Sequence, residues 1–530
     1  MTRITLGLLI LFCVYYLIDP LPFGLENYDS FELVTAMVTG GVAHPPGYGF
    51  YLELNRWFHE CLSFWNIEPA LSMTYFQSFC CFIAMLIFLR MIRLWQGSGL
   101  LFVFLMMSCA SFTPNLYSIE VYGLLILLLS LSLKLYFFRI SMISERSQNL
   151  LLGIVIALMV SHHLSLAPVA AIMIYRRFVE YRFSLALILG LITGVILSVY
   201  LNYQASQSIM NPWFDGSSPI AIWQHLTAKV YQVAFLNYGF HIDAWENFIS
   251  VWPLEIWALI ILVLIYSIKG MKSELHLAFL VLLIWPLFIY NIPDISKPLI
   301  TLYILTAVIV ACTKTNSLLY IILLALSCFH SLMEVQKSKF LGLSYKARSM
   351  EQSIKDAHVA VSKKPSFNHT FIGYDSIFGV AYSRHVIRSH ESLKMSFFPM
   401  WWLSFKPHLG SMLNHQFSSK ASESRIVHWS GFSRSKLKQL YSSSYNLAKD
   451  FGTNIIYPKT LQFEQLKRSL KILDSESSIL YLPSGKPDLM KYFTKLGFSF
   501  VNRGFWNELE LDKHHKHNSD AIIQRVYLQK

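Results

Sequence analysis

Eleven runs of apolar residues, separated by charged or turn-forming residues, limit what this chain can fold into more than any other feature. A helix of about 20 apolar residues crosses a bilayer, and several of these runs are shorter than that. Of the 530 residues, 14% are charged, whereas about a quarter of a soluble domain is charged. We therefore predict an α-helical polytopic membrane protein with about eleven transmembrane helices. The runs are 4–18, 70–92, 99–113, 121–138, 149–161, 164–175, 183–201, 252–268, 275–291, 298–313 and 316–331.

The distribution of Lys and Arg predicts how these helices are oriented. Cytoplasmic loops of membrane proteins carry an excess of both residues. With a cytoplasmic N-terminus, the outer turns between the spans carry only Arg56, Lys229 and Lys297. The inner turns carry Arg3, Arg90, Arg93, Lys134, Arg139, Arg146, Arg176, Arg177, Arg182, Lys269, Lys272 and Lys314. If 149–161 and 164–175 formed one long helix instead, every later turn would be reversed and the basic turns would lie outside.

The same orientation places two long loops, 19–69 and 202–251, and everything after residue 331 outside the cytoplasm. We predict a multi-pass protein of the inner (plasma) membrane of a bacterium. The net charge of +13 fits this topology and contact with anionic membrane lipids. We therefore expect no nucleic-acid partner. The aromatic residues of 19–69 predict an amphipathic helix in the membrane interface.

The composition changes after residue 331, and we predict two domains, 1–331 in the membrane and 332–530 as a soluble extracytoplasmic α/β domain. Strands are predicted at 370–373, 454–457, 479–482 and 522–527, and helices at 436–451, 463–473 and 487–496. The last cysteine is Cys328, so 332–530 contains no disulfide.

The stretch 27–50 follows the first apolar run directly. It places Asp29 and Glu32 three residues apart, which is one face of a helix. Gly40 and Gly41 then interrupt the helix, and the prolines after His44 stiffen the chain. The spacing also fits a capping box with Asp29 at the N-cap and Glu32 at N3. Both interpretations remain open from the sequence.

This stretch, with its D-S-x-E and H-P-P-G-Y motifs, resembles the protein O-mannosyltransferase-like family within the GT-C superfamily of membrane glycosyltransferases. Further segments resemble that family in the same order: SIEVYGL at 118–124, MVSHHLSLAP at 159–168, NPWFDGSSP at 211–219 with HLTAKVYQV at 225–233, and NIPDIS at 291–296. Gly49 departs from the pattern, which has a third proline there. The resemblance covers roughly 1–330 and implies inverting transfer from a polyprenyl-phosphate sugar.

Asp29 is the candidate base, because a carboxylate takes the acceptor proton as the new bond forms. Glu32 would orient Asp29 or the acceptor, and we count both as candidate catalytic residues. In the same stretch, His44 and Tyr48 are candidate substrate-binding residues. Glu120 is another, because an acid at a membrane boundary is costly without a purpose; an exposed loop acid is the alternative.

The remaining candidates would contact the donor. One residue of the pair His162 and His163 would donate a hydrogen bond to phosphate, the other being a packed histidine. His225 and Lys229 lie four residues apart, with Tyr231 near by, and form the candidate phosphate clamp. Asp294 is the last candidate, with a local ion pair to Lys297 as the alternative.

The run of three His at 514–517 lies in a polar loop without a Cys partner, which is more typical of a solvated run than of a metal site, so we predict no metal site and no cofactor. The predicted function is an inverting glycosyltransferase. Its partners are a polyprenyl-phosphate sugar donor and a protein hydroxyl or cell-envelope glycan acceptor. A polymerase or ligase of lipid-linked glycan is the alternative. A transporter is less favoured because internal repeats are absent.

Overall fold

A computed structural model describes most of 28–208 and shorter parts of the remaining chain. The described residues are 28–44, 46–107, 119–181, 184–208, 219–227, 300–312, 354–364, 368–372, 395–398, 478–483, 498–503, 506–511 and a few single positions. The chain divides into two compact units. The first unit comprises Met1–Gly24, Pro45–Gln204 and Ile222–Ser344, and the second comprises Leu25–His44, Ala205–Ala221 and Tyr345–Lys530.

Helices account for nearly all the described residues before 313. They are α1 Tyr28–Thr39, α2 Gly49–Ser63, α3 Pro69–Leu94, α4 Gly99–Met107, α5 Tyr122–Phe137, α6 Glu145–His162, α7 Ala167–Tyr181, α8 Leu185–Ser206, α9 Pro219–Leu226 and α10 Ile300–Cys312. The predicted spans 70–92, 121–138, 149–161, 183–201 and 298–313 coincide with helices to within a few residues. The spans 252–268 and 316–331, and most of 4–18 and 275–291, lie outside the described residues, so the total number of spans stays a prediction.

The chain breaks between the predicted spans 149–161 and 164–175, so a single long helix does not occur there. His163 is extended, with φ −151° and ψ 112°, and a 3₁₀ turn over Leu164–Leu166 follows it. The His163 ring stabilises this turn, because its Nδ1 accepts a hydrogen bond from the backbone N–H of Ser165. Pro168 then lies in the first turn of α7, where its missing N–H costs nothing.

In the first unit, α3 packs against α2 and α5, and α5 packs against α6. Helices α6 and α8 approach each other through glycines. A Cβ on Gly153 would overlap the Leu187 carbonyl, and a Cβ on Gly190 would overlap the Leu150 carbonyl. Ser161 and Ser198 add a hydroxyl–hydroxyl hydrogen bond of 2.6 Å between the two helices. Small residues that let backbones touch are typical of helix pairs in membranes.

Two described helices, α3 and α8, are long and apolar enough to cross a membrane. Helix α3 is mostly buried by its neighbours, whereas α8 leaves a stripe of large apolar side chains exposed. Helix α2 also exposes aromatic residues, together with the turn that follows it. The exposed apolar residues of α8 are Leu185, Leu189, Ile192, Val195, Ile196, Tyr200 and Tyr203, and those of α2 and its turn are Trp57, Phe64 and Trp65.

The second unit contains α1 and a five-stranded mixed sheet. Its strands are β1 Asn368–Ile372, β2 Met395–Phe398, β3 Ser478–Pro483, β4 Phe498–Arg503 and β5 Trp506–Leu511, in the order β2-β1-β3-β5-β4. β1 pairs in parallel with β2 and β3, whereas β5 pairs antiparallel with β3 and β4. A helical segment at 354–363 precedes the sheet and buries Ile354 and Val361.

Two of the four strands predicted after residue 331 coincide with β1 and β3, whereas β2, β4 and β5 were not predicted. The other two predicted strands, at 454–457 and 522–527, and the three predicted helices lie outside the described residues. The α/β class of this part and the domain boundary after residue 331 therefore stay predictions.

Candidate functional site

Helix α1 carries Asp29 and Glu32 on one face, as the spacing predicts. The helix ends at Thr39, and Gly40 follows with a φ of 69°, a left-handed conformation that glycine adopts without strain. Gly41 N–H donates back to the Ala36 carbonyl at 2.8 Å, which closes the helix end and turns the chain. This turn returns His44 to the helix, where its Nδ1 lies 2.7 Å from Glu32 Oε2.

The capping-box interpretation of Asp29 and Glu32 is wrong. Asp29 is the second residue of α1 rather than its N-cap, because the helix begins at Tyr28. One oxygen of the Glu32 carboxylate, Oε2, accepts a hydrogen bond from His44 Nδ1. The two arrangements share the same three-residue spacing, so only the chain reversal at Gly40 and Gly41 distinguishes them. An acid in the first turn still interacts favourably with the helix dipole.

The environments of the two carboxylates differ. Glu32 has 0% of its surface exposed, whereas Asp29 is half-buried. Asp29 makes no ion pair or hydrogen bond with any described side chain, so its oxygens are available to a ligand or acceptor. Asp29, Glu32 and His44 each offer one ligand atom, and these three atoms lie within 4.8 Å of one another.

In the first unit, Tyr48 lies at the start of α2. Gly47 and Tyr48 both have positive φ, 89° and 51°, and Tyr48 is the N-cap of α2 without a side-chain hydrogen bond to the helix. Gly47 is required for a steric reason as well. A Cβ there would overlap Asn202 Oδ1 and lie 2.8 Å from His225 Nε2. The Gly47–Tyr48 corner therefore contacts two buried polar side chains from distant parts of the sequence.

His162 packs on the first turn of α2. Its ring centroid lies 5.3 Å from that of Tyr48 and 5.9 Å from that of Tyr51. Its Nε2 lies 2.8 Å from the Val121 carbonyl, which can only accept, so Nε2 carries the proton. Nδ1 is then left as an acceptor; it is buried, and no described residue bonds to it. In this tautomer Nδ1 can only accept a hydrogen bond, whereas a hydrogen bond to phosphate would need a donor.

Glu120 is buried, so the alternative interpretation of an exposed loop acid is wrong. Its backbone carbonyl accepts a hydrogen bond of 3.1 Å from the Tyr51 hydroxyl. Burial raises the pKa of Tyr51 well above its ordinary value, and the neighbouring Cys80 and Glu120 raise that pKa further. The hydroxyl therefore keeps its proton and remains a donor. This bond joins the SIEVYGL segment to the helix that follows the HPPGY corner.

The first unit thus brings four of the predicted residues into one neighbourhood, namely Tyr48, Glu120, His162 and His225. His163 lies beside them in sequence but faces Tyr122, at 5.6 Å between ring centroids, and its Nδ1 bonds to Ser165. Three further candidates, Lys229, Tyr231 and Asp294, lie outside the described residues.

Sequence reasoning missed two residues of this neighbourhood, Tyr51 and Asn202. Tyr51 lies one helical turn after Tyr48, so the helix period places both rings on one side of α2. Asn202 follows a run of apolar residues in α8, where a polar amide is expensive unless it bonds. Its Nδ2 donates to the Ser198 carbonyl at 2.9 Å, and no described residue bonds to its Oδ1. A polar amide directly after a predicted span is the sequence signal that could have indicated it.

Comparison with known proteins finds little similarity at the level of sequence. No protein family matches the chain, and no curated protein matches it. Among solved structures, the chain is similar to ArnT from Cupriavidus metallidurans, whose crystal structure has undecaprenyl phosphate bound. The sequence identity is 10%, the TM-score is 0.49, and the match covers 96% of this chain and 97% of ArnT. The roles proposed below therefore rest on this chain's own residues.

Proposed function

We propose that the chain is an inverting membrane glycosyltransferase. It moves a sugar from a polyprenyl-phosphate donor to a hydroxyl group, either of a protein or of a cell-envelope glycan, on the outer face of the membrane. The observation that carries this proposal is the contact of the HPPGY corner with the other motifs of the resembled family. Tyr48 packs on His162, and Tyr51 donates to Glu120. Segments that are far apart in sequence, and that resemble one family, therefore meet in the first unit.

Asp29 acts as the general base in this proposal. Its half-buried carboxylate is not neutralised by any described side chain, so a lone pair remains available. As the acceptor hydroxyl attacks the anomeric carbon, the proton passes to Asp29 and the bond from that carbon to the phosphate oxygen breaks. The polyprenyl phosphate leaves with the bonding electrons. Attack opposite the leaving group inverts the configuration at the anomeric carbon.

Glu32 and His44 act by positioning. Their 2.7 Å hydrogen bond ties the segment after Gly41 to α1 and holds the face that carries Asp29. Because Glu32 is fully buried, substrate does not reach it in the described structure. We therefore assign Glu32 a supporting role rather than a direct one. His44 is half-buried, which leaves part of its ring accessible.

The donor phosphate is assigned to the neighbourhood of Gly47 in the first unit. His225 Nε2 lies against Gly47, directly before the first turn of α2. Backbone N–H groups at an uncapped helix start also favour an anion. Lys229, four residues after His225, would supply a full positive charge. The exposed apolar stripe of α8 and the exposed aromatic residues near α2 support placement in a membrane, where the polyprenyl chain would lie.

The test is donor cleavage by the purified chain in lipid nanodiscs. A panel of synthetic polyprenyl-phosphate sugars is supplied with hydroxyl-bearing acceptor peptides and with glycan acceptors. Release of polyprenyl phosphate is followed by mass spectrometry, and the anomeric configuration of the product by NMR. We expect at least one donor to be consumed with inversion. The control is Glu60→Gln, which removes an exposed carboxylate from α2 and should not change the rate.

Transfer with retained configuration would contradict the mechanism. Transfer of a whole lipid-linked glycan rather than a single sugar would favour the polymerase or ligase alternative. No release from any donor, by a chain that is folded and monodisperse, would overturn the proposed function.

A further inference from the structure

We propose that Asp29, Glu32 and His44 form a binding site for a divalent transition-metal cation. The three ligand atoms lie within 4.8 Å of one another, although they come from two different parts of the backbone. Asp29 and Glu32 lie on one face of α1, and His44 reaches them after the reversal at Gly40. The donor set is therefore mixed, with two carboxylates and one imidazole, rather than a patch of acids at the surface.

The charges of the three groups favour a cation. The Glu32 carboxylate is fully buried, and a buried carboxylate is stable only with a compensating partner. His44 compensates one negative charge when it is protonated, but Asp29 adds a second charge that no described side chain neutralises. A divalent cation with two carboxylates and a neutral imidazole sums to zero.

The geometry needs only small adjustments to hold such an ion. Zinc bonds to nitrogen and oxygen of about 2.0–2.1 Å in tetrahedral geometry place ligand atoms about 3.4 Å apart. The His44 Nδ1 to Glu32 Oε2 distance of 2.7 Å would open by about 0.7 Å, since the shared proton is replaced by the metal. Asp29 would approach through a rotation of its side chain.

The ligand types indicate which cation the site takes. Imidazole favours Zn²⁺ and related transition metals, and carboxylates also suit Mn²⁺, whereas Ca²⁺ and Mg²⁺ prefer ligand sets made of oxygen alone. Three protein ligands leave at least one coordination position open. Asp29 can ligate through one oxygen and keep the other for an acceptor proton, so the site is compatible with the role of Asp29 as a base. The inference does not depend on that role.

The experiment measures the metal directly, without a donor sugar. The full chain carries a non-histidine affinity tag, and His514, His515 and His517 are all changed to Asn, because the tail histidines would otherwise bind metal. This parent protein is stripped with a chelator in nanodiscs, loaded with Zn²⁺ or Mn²⁺, desalted and analysed by inductively coupled plasma mass spectrometry. We expect about one ion per chain. Asp29→Asn and His44→Gln should each reduce the metal content at least tenfold.

Two further measurements keep the result interpretable. His59→Gln in α2 removes a histidine outside the site and should leave the metal content unchanged. Loading should also raise the Tm of the parent protein by several degrees, because a ligand that binds only the folded state stabilises it. That shift should disappear in His44→Gln. Thermal stability without metal shows whether each variant is folded.

A parent protein that retains no ion overturns the inference, as does metal content that is the same in Asp29→Asn and His44→Gln. These outcomes leave the proposed function untouched, because transfer is assayed separately. Conversely, a chain that binds one ion but transfers no sugar from any donor retains the metal site and loses the proposed function. The two proposals therefore fail in distinguishable ways.

Discussion

His44 Nδ1 lies 2.7 Å from Glu32 Oε2, across twelve residues of sequence that include a helix end and two glycines. This ion pair closes a turn of the backbone in the second unit. The conformation of 40–44 therefore depends on the Glu32 carboxylate of α1. Substitution of either residue should therefore change the stability that the other contributes.

His44→Ala should destabilise the folded chain more than Glu32→Gln does. The alanine leaves the buried Glu32 carboxylate without this charged partner, whereas glutamine keeps a neutral acceptor for His44. Loss of a hydrogen bond to a buried charged group costs about 1–3 kcal/mol. Thermal unfolding in detergent measures the difference. The double variant should be more stable than His44→Ala alone, and additive losses would show that the two residues do not interact.

Asp29→Asn should reduce turnover on the order of a hundredfold or more, because the amide has no basic lone pair. Asn has nearly the same shape, and Asp29 has no described ion pair to lose, so the Tm should change little. The measurement is release of polyprenyl phosphate at equal amounts of folded protein. Wild-type turnover by Asp29→Asn would remove Asp29 from the catalytic role.

Gly47→Ala should be strongly destabilising. A Cβ there overlaps the Asn202 amide, and the φ of 89° is unfavourable for any other residue. The conformational part alone costs about 1–2 kcal/mol. The matched control is Gly7→Ala, because nothing lies within 4 Å of a Cβ at Gly7. Equal melting temperatures for the two variants would mean that Gly47 does not contact Asn202 as described.

The raised pKa of Tyr51 predicts a loss of stability at high pH. Below about pH 10 the hydroxyl is protonated in both the folded and the unfolded chain. Above that pH the unfolded chain ionises while the folded chain does not, so the free energy of unfolding falls as pH rises toward the folded-state pKa. Tyr51→Phe cannot ionise, so its stability should fall less steeply between pH 9 and pH 11. Parallel pH profiles would contradict the buried position of Tyr51.

The sequence predicted the helices of the first unit well, because their limits are set by apolar length and by charged residues at their ends. It also predicted the break near His163, where two polar residues interrupt the apolar pattern. It left the role of Asp29 open, since a capping box and a helix interior share the same spacing. No local pattern distinguishes them.

The missed contacts have a common cause. Tyr51 bonds to Glu120 across 69 positions, and Asn202 meets Gly47 across an even longer separation. Neither residue has an unusual neighbour in sequence, so only the tertiary fold shows its partner. The strand β5 was missed for another reason. Its sequence, WNELEL, alternates polar and apolar residues, but its two acids are of a type that strands contain less often.

The glycine contact between α6 and α8 has a mechanical consequence. With carbonyl groups of each helix lying against glycines of the other, neither helix can slide along its partner by a residue without a backbone collision. The position of His162 along the α6 axis is therefore fixed relative to the position of Asn202 along the α8 axis. If a thicker or thinner bilayer tilts α8, α6 would tilt with it. Such a tilt would reach Gly47 through its contact with Asn202, and Tyr48 through its contact with His162.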